Sequence, residues 1–288
     1  MRVLISAVAA VLGLNGAFVH AVAHYKDLAP LKFEHPGELF SKLTSGACCA
    51  EGVVTSGNST GTTKTIDGVS LYIAEPPNKQ TDVAILYLTD IFGVQLVNNR
   101  LLGDSMAKAG YYVVMPDLFN GDPIPLDAMG GRIPAFDMAG WSRKHTTEMV
   151  DGIVASTIKT MRGQLGVKKI GAVGYCFGGK YVARFLAPGK GLDAGFTAHP
   201  SGVTVAEWSA ISAPLSIAFG ELDAANNVTQ RAAAEAAFQR GNKTYQTNLY
   251  SGAEHGFAVR TDLSDRRKKF AQEGAFFQAV RWFDAWIK

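Results

Sequence analysis

The segment Gly174–Gly179, with the sequence GYCFGG, places a thiol between glycines. Residues 169–173 before it are predicted to form a buried strand, and residues 179–187 a helix. A strand that turns sharply into a helix exposes the central residue as a nucleophile, and a Cβ at the glycine positions would clash. The turn also places sulfur at a helix N-terminus, which favours thiolate. We therefore predict that Cys176 is a nucleophile. The alternative is a glycine-rich turn with a buried, inert cysteine.

A nucleophile of this kind needs a base and an acid that orients the base. After strand–helix elbows, these partners follow along the chain in the order nucleophile, acid, histidine. His199 precedes the candidate acids, so this order leaves His255 as the base and His199 as a core residue. Asp223 follows a predicted strand and is the predicted acid, with Glu221 as its competitor.

Predicted strands and helices alternate along most of the chain. Asp67-Gly68 is a strong hairpin signal between two short strands. The predicted strands are residues 63–66, 69–74, 82–89, 111–116, 169–173, 194–197, 215–219 and 245–250, and the predicted helices are 97–109, 147–165, 179–187, 229–240 and 267–287. The pattern predicts a single-domain α/β-hydrolase sandwich with a mostly parallel central sheet. Ligands bind beyond the carboxyl ends of such strands. Residues 117–145 form a long irregular connection of the kind that is usually functional.

The N-terminus has the pattern of a secretory signal peptide. Arg2 is followed by an apolar stretch, residues 3–19, and by the small residues Ala21-Val22-Ala23. A membrane anchor and a buried helix are the alternatives, but Asn15 and His20 interrupt the apolar run. The predicted organisation is a signal peptide at 1–23, an N-terminal arm at 24–62 and the α/β-hydrolase domain at 63–288.

Secretion agrees with three glycosylation acceptors, at Asn58, Asn227 and Asn242. It also raises the question of the three cysteines, because an unpaired thiol in an oxidising compartment is a liability unless it has a task. The adjacent pair Cys48-Cys49 is a poor zinc motif and would close almost no loop as a disulfide. Cys176 is then the odd thiol.

Composition excludes some function classes. The formal net charge is +3 and the basic residues are scattered, so no broad patch for nucleic acid is expected. The densest basic run, residues 266–269, begins a predicted amphipathic helix and is interpreted as its solvated face. We expect no metal, no organic cofactor and no stable membrane insertion.

Together, the motifs resemble the dienelactone hydrolase family. Thr89–Gly93, the GYCFGG elbow, Gly220–Asp223 and Glu254–Phe257 occur in the order found in that family, and the Cys48-Cys49 stretch resembles its fungal members. The resemblance covers about residue 46 to the C-terminus. It implies that Cys176 is the nucleophile, His255 its base and Asp223 the acid that orients His255.

The resemblance also implies roles outside the triad. Backbone N–H groups of Phe177 and Ile91 would form the oxyanion hole, an arrangement worth roughly 3–4 kcal/mol of barrier. Asp90 occupies the position of a family glutamate that contacts the resting thiol, although its side chain is one methylene shorter. Alternatively, Asp90 only orders the turn.

Arginines hold the carboxylated lactones that family members hydrolyse. Arg260 resembles one of these arginines, and Arg132 and Lys144 are candidates for the other. Trp141 is predicted to wall an apolar pocket, with plain packing as the alternative. A requirement for a substrate carboxylate therefore stays open.

The leading hypothesis is hydrolysis of a small-molecule lactone or carboxylic ester through an acyl-enzyme on Cys176, by a monomer or homodimer. A thioesterase or a lyase/isomerase of secondary metabolism would use the same scaffold, and a survey of products distinguishes them. A non-catalytic secreted binding protein is the alternative of another class. Such a protein would be expected to lack Cys176, Asp223 or His255, whereas this sequence has all three.

The signal-peptide prediction has a direct test. We expect the secreted protein to begin at His24, because cleavage after Ala23 fits the small-residue pattern. N-terminal sequencing of the secreted product checks this, and a cytosolic product with an intact Met1 contradicts it.

Overall fold

The structure is a computed structural model that describes residues 57–131 and 136–288. The predicted signal peptide, most of the predicted arm, Cys48-Cys49 and Arg132 lie outside the described residues. The glycosylation acceptors Asn58, Asn227 and Asn242 are described, and all three are exposed.

The described residues contain one eight-stranded sheet. Its strands are β1 (Thr62–Ile66), β2 (Val69–Ala74), β3 (Val83–Leu88), β4 (Tyr112–Pro116), β5 (Lys169–Tyr175), β6 (Ala194–Ala198), β7 (Leu215–Gly220) and β8 (Tyr245–Tyr250). They are arranged in the order β1-β2-β4-β3-β5-β6-β7-β8. The pairs β1–β2 and β2–β4 are antiparallel, and all others are parallel.

Six of the described α-helices lie in the connections between the strands, and the last two follow β8. The described α-helices are α1 (Val97–Lys108), α2 (Met138–Lys144), α3 (Thr147–Gly163), α4 (Phe177–Phe185), α5 (Val205–Ala210), α6 (Val228–Arg240), α7 (Phe257–Arg260) and α8 (Arg266–Trp286). Parallel strands require such crossovers, because the chain must return to the starting edge of the sheet. The described helices include none that is both long and apolar enough to cross a membrane.

The prediction of a single α/β domain with a mostly parallel sheet is confirmed. The central strands β3 and β5 pair in register from Val83 opposite Lys169 to Leu88 opposite Gly174. Nearly all of their side chains are buried, as expected for strands covered on both faces.

Four α-helices differ from the sequence prediction, one of them the short α7, where no helix was predicted. Helix α2 lies inside the predicted irregular connection, where the Asp137 side chain accepts a hydrogen bond from the Gly140 N–H (2.7 Å). Helix α5 begins with a capping box in which Thr204 and Glu207 bond reciprocally. Helix α4 begins at Phe177, directly after the elbow, and not at Gly179.

The close packing of the elbow predicts that Gly174 tolerates no side chain. A Cβ there would lie 2.6 Å from both the Gly178 carbonyl oxygen and the Val182 side chain. We expect Gly174→Ala to lower the free energy of unfolding by roughly 1–3 kcal/mol, as overpacking does.

The matched control is Gly152→Ala, at an exposed position of α3, where an added Cβ has no neighbour within 4 Å. It should raise stability by roughly 0.5–1 kcal/mol because alanine favours helix. Urea unfolding measures both variants. Equal stabilities would show that the elbow is not tightly packed.

Candidate active site

Cys176 sits on the sharp turn between β5 and α4 in a strained backbone conformation, with φ 51° and ψ −112°. A non-glycine residue rarely adopts a positive φ and needs support from its surroundings. The Cys176 N–H donates to the Ala198 carbonyl (3.2 Å), and the Ser201 N–H donates to the Cys176 carbonyl (2.9 Å). Gly178 is required because a Cβ there would overlap the Leu88 carbonyl. The elbow is thus held from β3 and from the end of β6.

His255 and Asp223 form a buried pair beside this turn. The imidazole Nδ1 lies 2.9 Å from Asp223 Oδ1, and both side chains are almost completely buried. Asp223 Oδ1 also accepts from the Ala225 N–H (2.9 Å), and its Oδ2 accepts from Asn226 Nδ2 (2.8 Å). These bonds fix the carboxylate so that it orients the imidazole.

His255 also forms a hydrogen bond with Cys176. Burial lowers the pKa of His255, but the negative charge of the Cys176 thiolate and the hydrogen bonds with Asp223 and Cys176 raise it. The net result is a pKa well above the usual 6.5. The structure therefore brings the three predicted residues Cys176, His255 and Asp223 together in one hydrogen-bonded line.

The competitors are placed elsewhere. Glu221 accepts from the Gly252 N–H (2.7 Å) and from the Ser251 hydroxyl (2.8 Å), at the end of β8. His199 is buried against His255, with ring centroids 5.1 Å apart. Within the described part of the chain, neither ring nitrogen of His199 has a hydrogen-bond partner. Burial lowers the pKa of His199 well below 6.5, so its ring is neutral.

Ser201 was not predicted from the sequence and lies directly at this site. Its Oγ is 3.6 Å from Cys176 Sγ and 3.4 Å from His255 Nε2. Ser201 follows β6 in the loop that also carries His199, the residue of this loop that the sequence singles out as a core histidine. A serine after a strand has no distinguishing pattern, so the sequence offered no signal for it.

The predicted oxyanion donors Phe177 and Ile91 belong to adjoining segments. Phe177 is the first residue of α4, where backbone N–H groups have no acceptor within the helix. Ile91 follows β3, and the Gly178 N–H donates to the Thr89 carbonyl (3.1 Å), which ties the two segments together. This bond holds the loop after β3 against the elbow, as an oxyanion hole built from both segments requires.

Asp90 is completely buried, and its carboxylate is surrounded by donors. Oδ1 accepts from Asn99 Nδ2 (2.9 Å) and from the Phe92 N–H (3.2 Å), while Oδ2 accepts from Arg260 Nε (2.8 Å). Burial raises the pKa of Asp90, Arg260 and Asn99 lower it, and the nearby charge of Cys176 raises it again, with a net upward shift.

Arg260 is equally buried, and its guanidinium also lies over the ring of Phe92, 5.1 Å from the centroid. The structure therefore places the predicted anion-binding arginine in an ion pair with Asp90. The other candidate that is described, Lys144, is exposed and lies 3.9 Å from Asp122.

Trp141, from α2, packs beside the elbow. Its ring centroid lies 5.2 Å from that of Phe119 and 6.0 Å from that of Phe177. Its indole N–H donates to the Asp122 carbonyl (2.8 Å), which fixes the ring. Trp141 therefore belongs to an aromatic wall that reaches Phe177, the residue after Cys176.

No group of three or more histidine, cysteine, aspartate or glutamate side chains that could hold a metal ion occurs in residues 57–131 and 136–288. The acidic side chains of the site instead pair with basic ones, Asp223 with His255 and Asp90 with Arg260.

Comparisons with known proteins find relatives of this chain in sequence and in fold. A model of the dienelactone hydrolase family matches residues 69–287. The hydrolase pyvD of Aspergillus violaceofuscus is 43% identical over 248 residues, covering 86% of this chain and 99% of that protein. Dienlactone hydrolase 1 of Gibberella moniliformis is 32% identical over 244 residues, covering 83% and 93%. The crystal structure of a candidate dienelactone hydrolase from Klebsiella pneumoniae has a TM-score of 0.63 at 18% identity, covering 80% and 99%, and shows the likeness of fold.

The Asp90–Arg260 pair predicts a large cost when one partner is removed. In Arg260→Met a buried carboxylate loses its cation, so we expect the free energy of unfolding at pH 7 to fall by about 3–5 kcal/mol. In the double variant Asp90→Asn/Arg260→Met both charges are gone, and part of the loss should be recovered.

The exposed pair Arg143–Asp137, 3.9 Å apart, provides the control. Arg143→Met should change stability by about 0–1 kcal/mol. Denaturant unfolding compares the variants. A loss for Arg260→Met no larger than that for Arg143→Met would mean that the buried pair is not a close ion pair in solution.

Proposed function

The chain belongs to the dienelactone hydrolase family, whose members hydrolyse esters and lactones, and we propose that it does so through a cysteine nucleophile and an acyl-enzyme. Membership confirms the resemblance read from the motifs. The chain is thus an ester or lactone hydrolase, and the finer proposal concerns the residues that perform the reaction.

The observation that carries the proposal is the hydrogen-bonded line Asp223–His255–Cys176. Asp223 fixes the Nδ1 side of the ring at 2.9 Å, so that the Nε2 side faces the sulfur. A carboxylate that orients an imidazole, which in turn activates a nucleophile, is the arrangement that acyl transfer requires. Cys176 also stands at the N-terminus of α4, where the helix dipole favours thiolate.

The first half of the proposed reaction forms the acyl-enzyme. The Cys176 thiolate attacks the carbonyl carbon, and the carbonyl electron pair moves onto oxygen, where the N–H groups of Phe177 and Ile91 stabilise it. When the tetrahedral intermediate collapses, the bond to the leaving oxygen breaks, and this oxygen takes the proton of the His255 imidazolium. A lactone opens and stays attached as a thioester.

The second half releases the product. Neutral His255 takes a proton from water, and the water oxygen attacks the thioester carbonyl. Collapse expels the Cys176 thiolate, restores the thiolate–imidazolium pair and leaves a carboxylic acid. Because Cys176 is buried at rest, either the sulfur or its neighbours must move for substrate to be attacked.

The proposed substrate is a small-molecule lactone or ester that packs against the aromatic wall of Phe177, Phe119 and Trp141. Recognition of a substrate carboxylate by Arg260 stays a prediction. The guanidinium is already balanced by Asp90 at 2.8 Å, so an anionic substrate would share that cation with a second carboxylate.

The proposed triad predicts that kcat falls sharply when Asp223 is replaced but not when the nearby Glu221 is replaced. We expect Cys176→Ala to lower kcat on activated aryl esters and on dienelactone by at least about 10³-fold, because the nucleophile is lost. Asp223→Asn should lower kcat by about 10⁴-fold, because an amide no longer holds the imidazole in the correct tautomer. Glu221→Gln should stay within about threefold of wild type, because Glu221 binds the Ser251–Gly252 turn and not His255.

Steady-state kinetics on the folded variants measures these effects. Equal rates for wild type and Cys176→Ala would eliminate the nucleophile, and a larger loss in Glu221→Gln than in Asp223→Asn would reassign the acid. A carboxylated and a neutral lactone are assayed side by side, because recognition of an anion by Arg260 requires a preference for the carboxylated one.

A further inference from the structure

We propose that Ser201 is a further catalytic residue, whose hydroxyl bridges the Cys176 thiolate and the His255 imidazolium. This inference rests on the proposed function, because it requires Cys176 to be the nucleophile. It adds a member from a fourth segment of the chain, the loop that follows β6.

The bridge is seen in two distances from one atom. Ser201 Oγ is 3.6 Å from Cys176 Sγ and 3.4 Å from His255 Nε2. A hydroxyl has one proton to donate and lone pairs to accept, so it can serve both partners at once. Contacts of this length in a resting enzyme are expected to tighten when substrate arrives.

The backbone holds Ser201 firmly in this place. The Ser201 N–H donates to the Cys176 carbonyl (2.9 Å), and the preceding Pro200 carbonyl accepts from Asn226 Nδ2 (2.7 Å). The loop reaches the elbow through a left-handed turn at His199, with φ 39°, whose N–H donates to the Ala218 carbonyl (2.9 Å). A strained and fully anchored loop that delivers a hydroxyl to the reacting atoms is typical of a functional site.

The hydroxyl suits each stage of the reaction. At rest the Nε2–H of the imidazolium is shared between Cys176 and the Ser201 hydroxyl, and this hydroxyl donates to the sulfur anion, which stabilises both charges. During acylation His255 gives its proton to the leaving oxygen, and the Ser201 hydroxyl can then donate to the neutral Nε2 or to water. When the thioester collapses, the hydroxyl donates again to the departing thiolate. No covalent bond to Ser201 forms.

The charged and titratable groups around this bridge come from several elements. Asp223 after β7 binds the far side of His255, neutral His199 after β6 packs against its ring, and Asp90 after β3 acts on Cys176 by its charge. Arg260 from α7 balances Asp90. Ser201 is the neutral member that donates to sulfur, so its removal changes no charge and isolates a single hydrogen bond.

A purely structural role for Ser201 would run through its backbone. The Ser201 N–H bond to the Cys176 carbonyl survives substitution by any residue except proline. Ser201→Ala therefore removes the hydroxyl and keeps this support. Ser201→Thr and Ser201→Val form a second pair, of nearly equal shape, in which only threonine has the hydroxyl.

The test measures the pH dependence of Cys176 alkylation by iodoacetamide, quantified on the peptide that contains Cys176, together with kcat/KM on an aryl ester. We expect Ser201→Ala to move the midpoint of alkylation upward by about one pH unit or more, because one hydrogen bond to the thiolate is lost. The value of kcat/KM at pH 7 should fall about tenfold or more. Ser201→Thr should stay closer to wild type than Ser201→Val in both measurements.

The control is Ser209→Ala, at an exposed position of α5, where the hydroxyl donates to the Val205 carbonyl. It should leave the alkylation profile and kcat/KM unchanged. If Ser201→Ala does not fold, the comparison of threonine with valine decides.

Outcomes separate the two proposals. An unshifted profile in Ser201→Ala, or equal behaviour of the threonine and valine variants, overturns the role of Ser201 while Cys176→Ala stays inactive. Activity in Cys176→Ala instead overturns the proposed function itself.

Discussion

The strained backbone at Cys176 is the constraint on which the rest of the site depends. A residue with φ 51° and ψ −112° stays in place only if its peptide groups are bonded on both sides. The Ala198 carbonyl and the Ser201 N–H supply these bonds, while Gly178 binds the Thr89 carbonyl. The turn therefore joins the carboxyl ends of β3, β5 and β6, and each of these ends contributes a functional segment.

Two buried acid–base pairs, Asp223–His255 and Asp90–Arg260, lie near this turn, and they differ in whether the basic partner can give up a proton. Asp223 is bonded to Asn226 and the Ala225 N–H, and it directs His255 toward sulfur. Asp90 is instead balanced by Arg260, a cation that keeps its charge. In a low-dielectric interior a charge without a partner is costly, so each carboxylate carries its own balancing group. The imidazole can lose its proton and the guanidinium cannot, so in the proposed reaction proton transfer belongs to the first pair.

The sequence predicts the elbow, the sheet and the order of acid and histidine, because each follows from local chemistry: glycine spacing, apolar runs and position after a strand. It does not predict contacts that only the fold creates. Asp90 and Arg260 are 170 residues apart, and no local pattern connects them. Ser201 reaches Cys176 through a loop whose path depends on His199 in a left-handed conformation. Helix α5 is different, because its capping box at Thr204 and Glu207 was readable in the sequence.

The hydrogen bonds of the short Asp90 side chain also bear on which neighbours of Cys176 can stabilise its thiolate. Both carboxylate oxygens of Asp90 accept hydrogen bonds, from Asn99, the Phe92 N–H and Arg260. These bonds order the loop that carries Ile91. The charge of Asp90 still opposes a thiolate, since like charges nearby disfavour ionisation. A thiolate at Cys176 therefore depends on its other neighbours, His255 and Ser201. The imidazolium, hydrogen-bonded to both Asp223 and Cys176, and the neutral Ser201 hydroxyl can both donate to the sulfur. The His255 imidazolium supplies a positive charge, whereas the Ser201 hydroxyl supplies a hydrogen bond without adding charge. In the proposed reaction the site can therefore favour the Cys176 thiolate while His255 stays able to give up its proton.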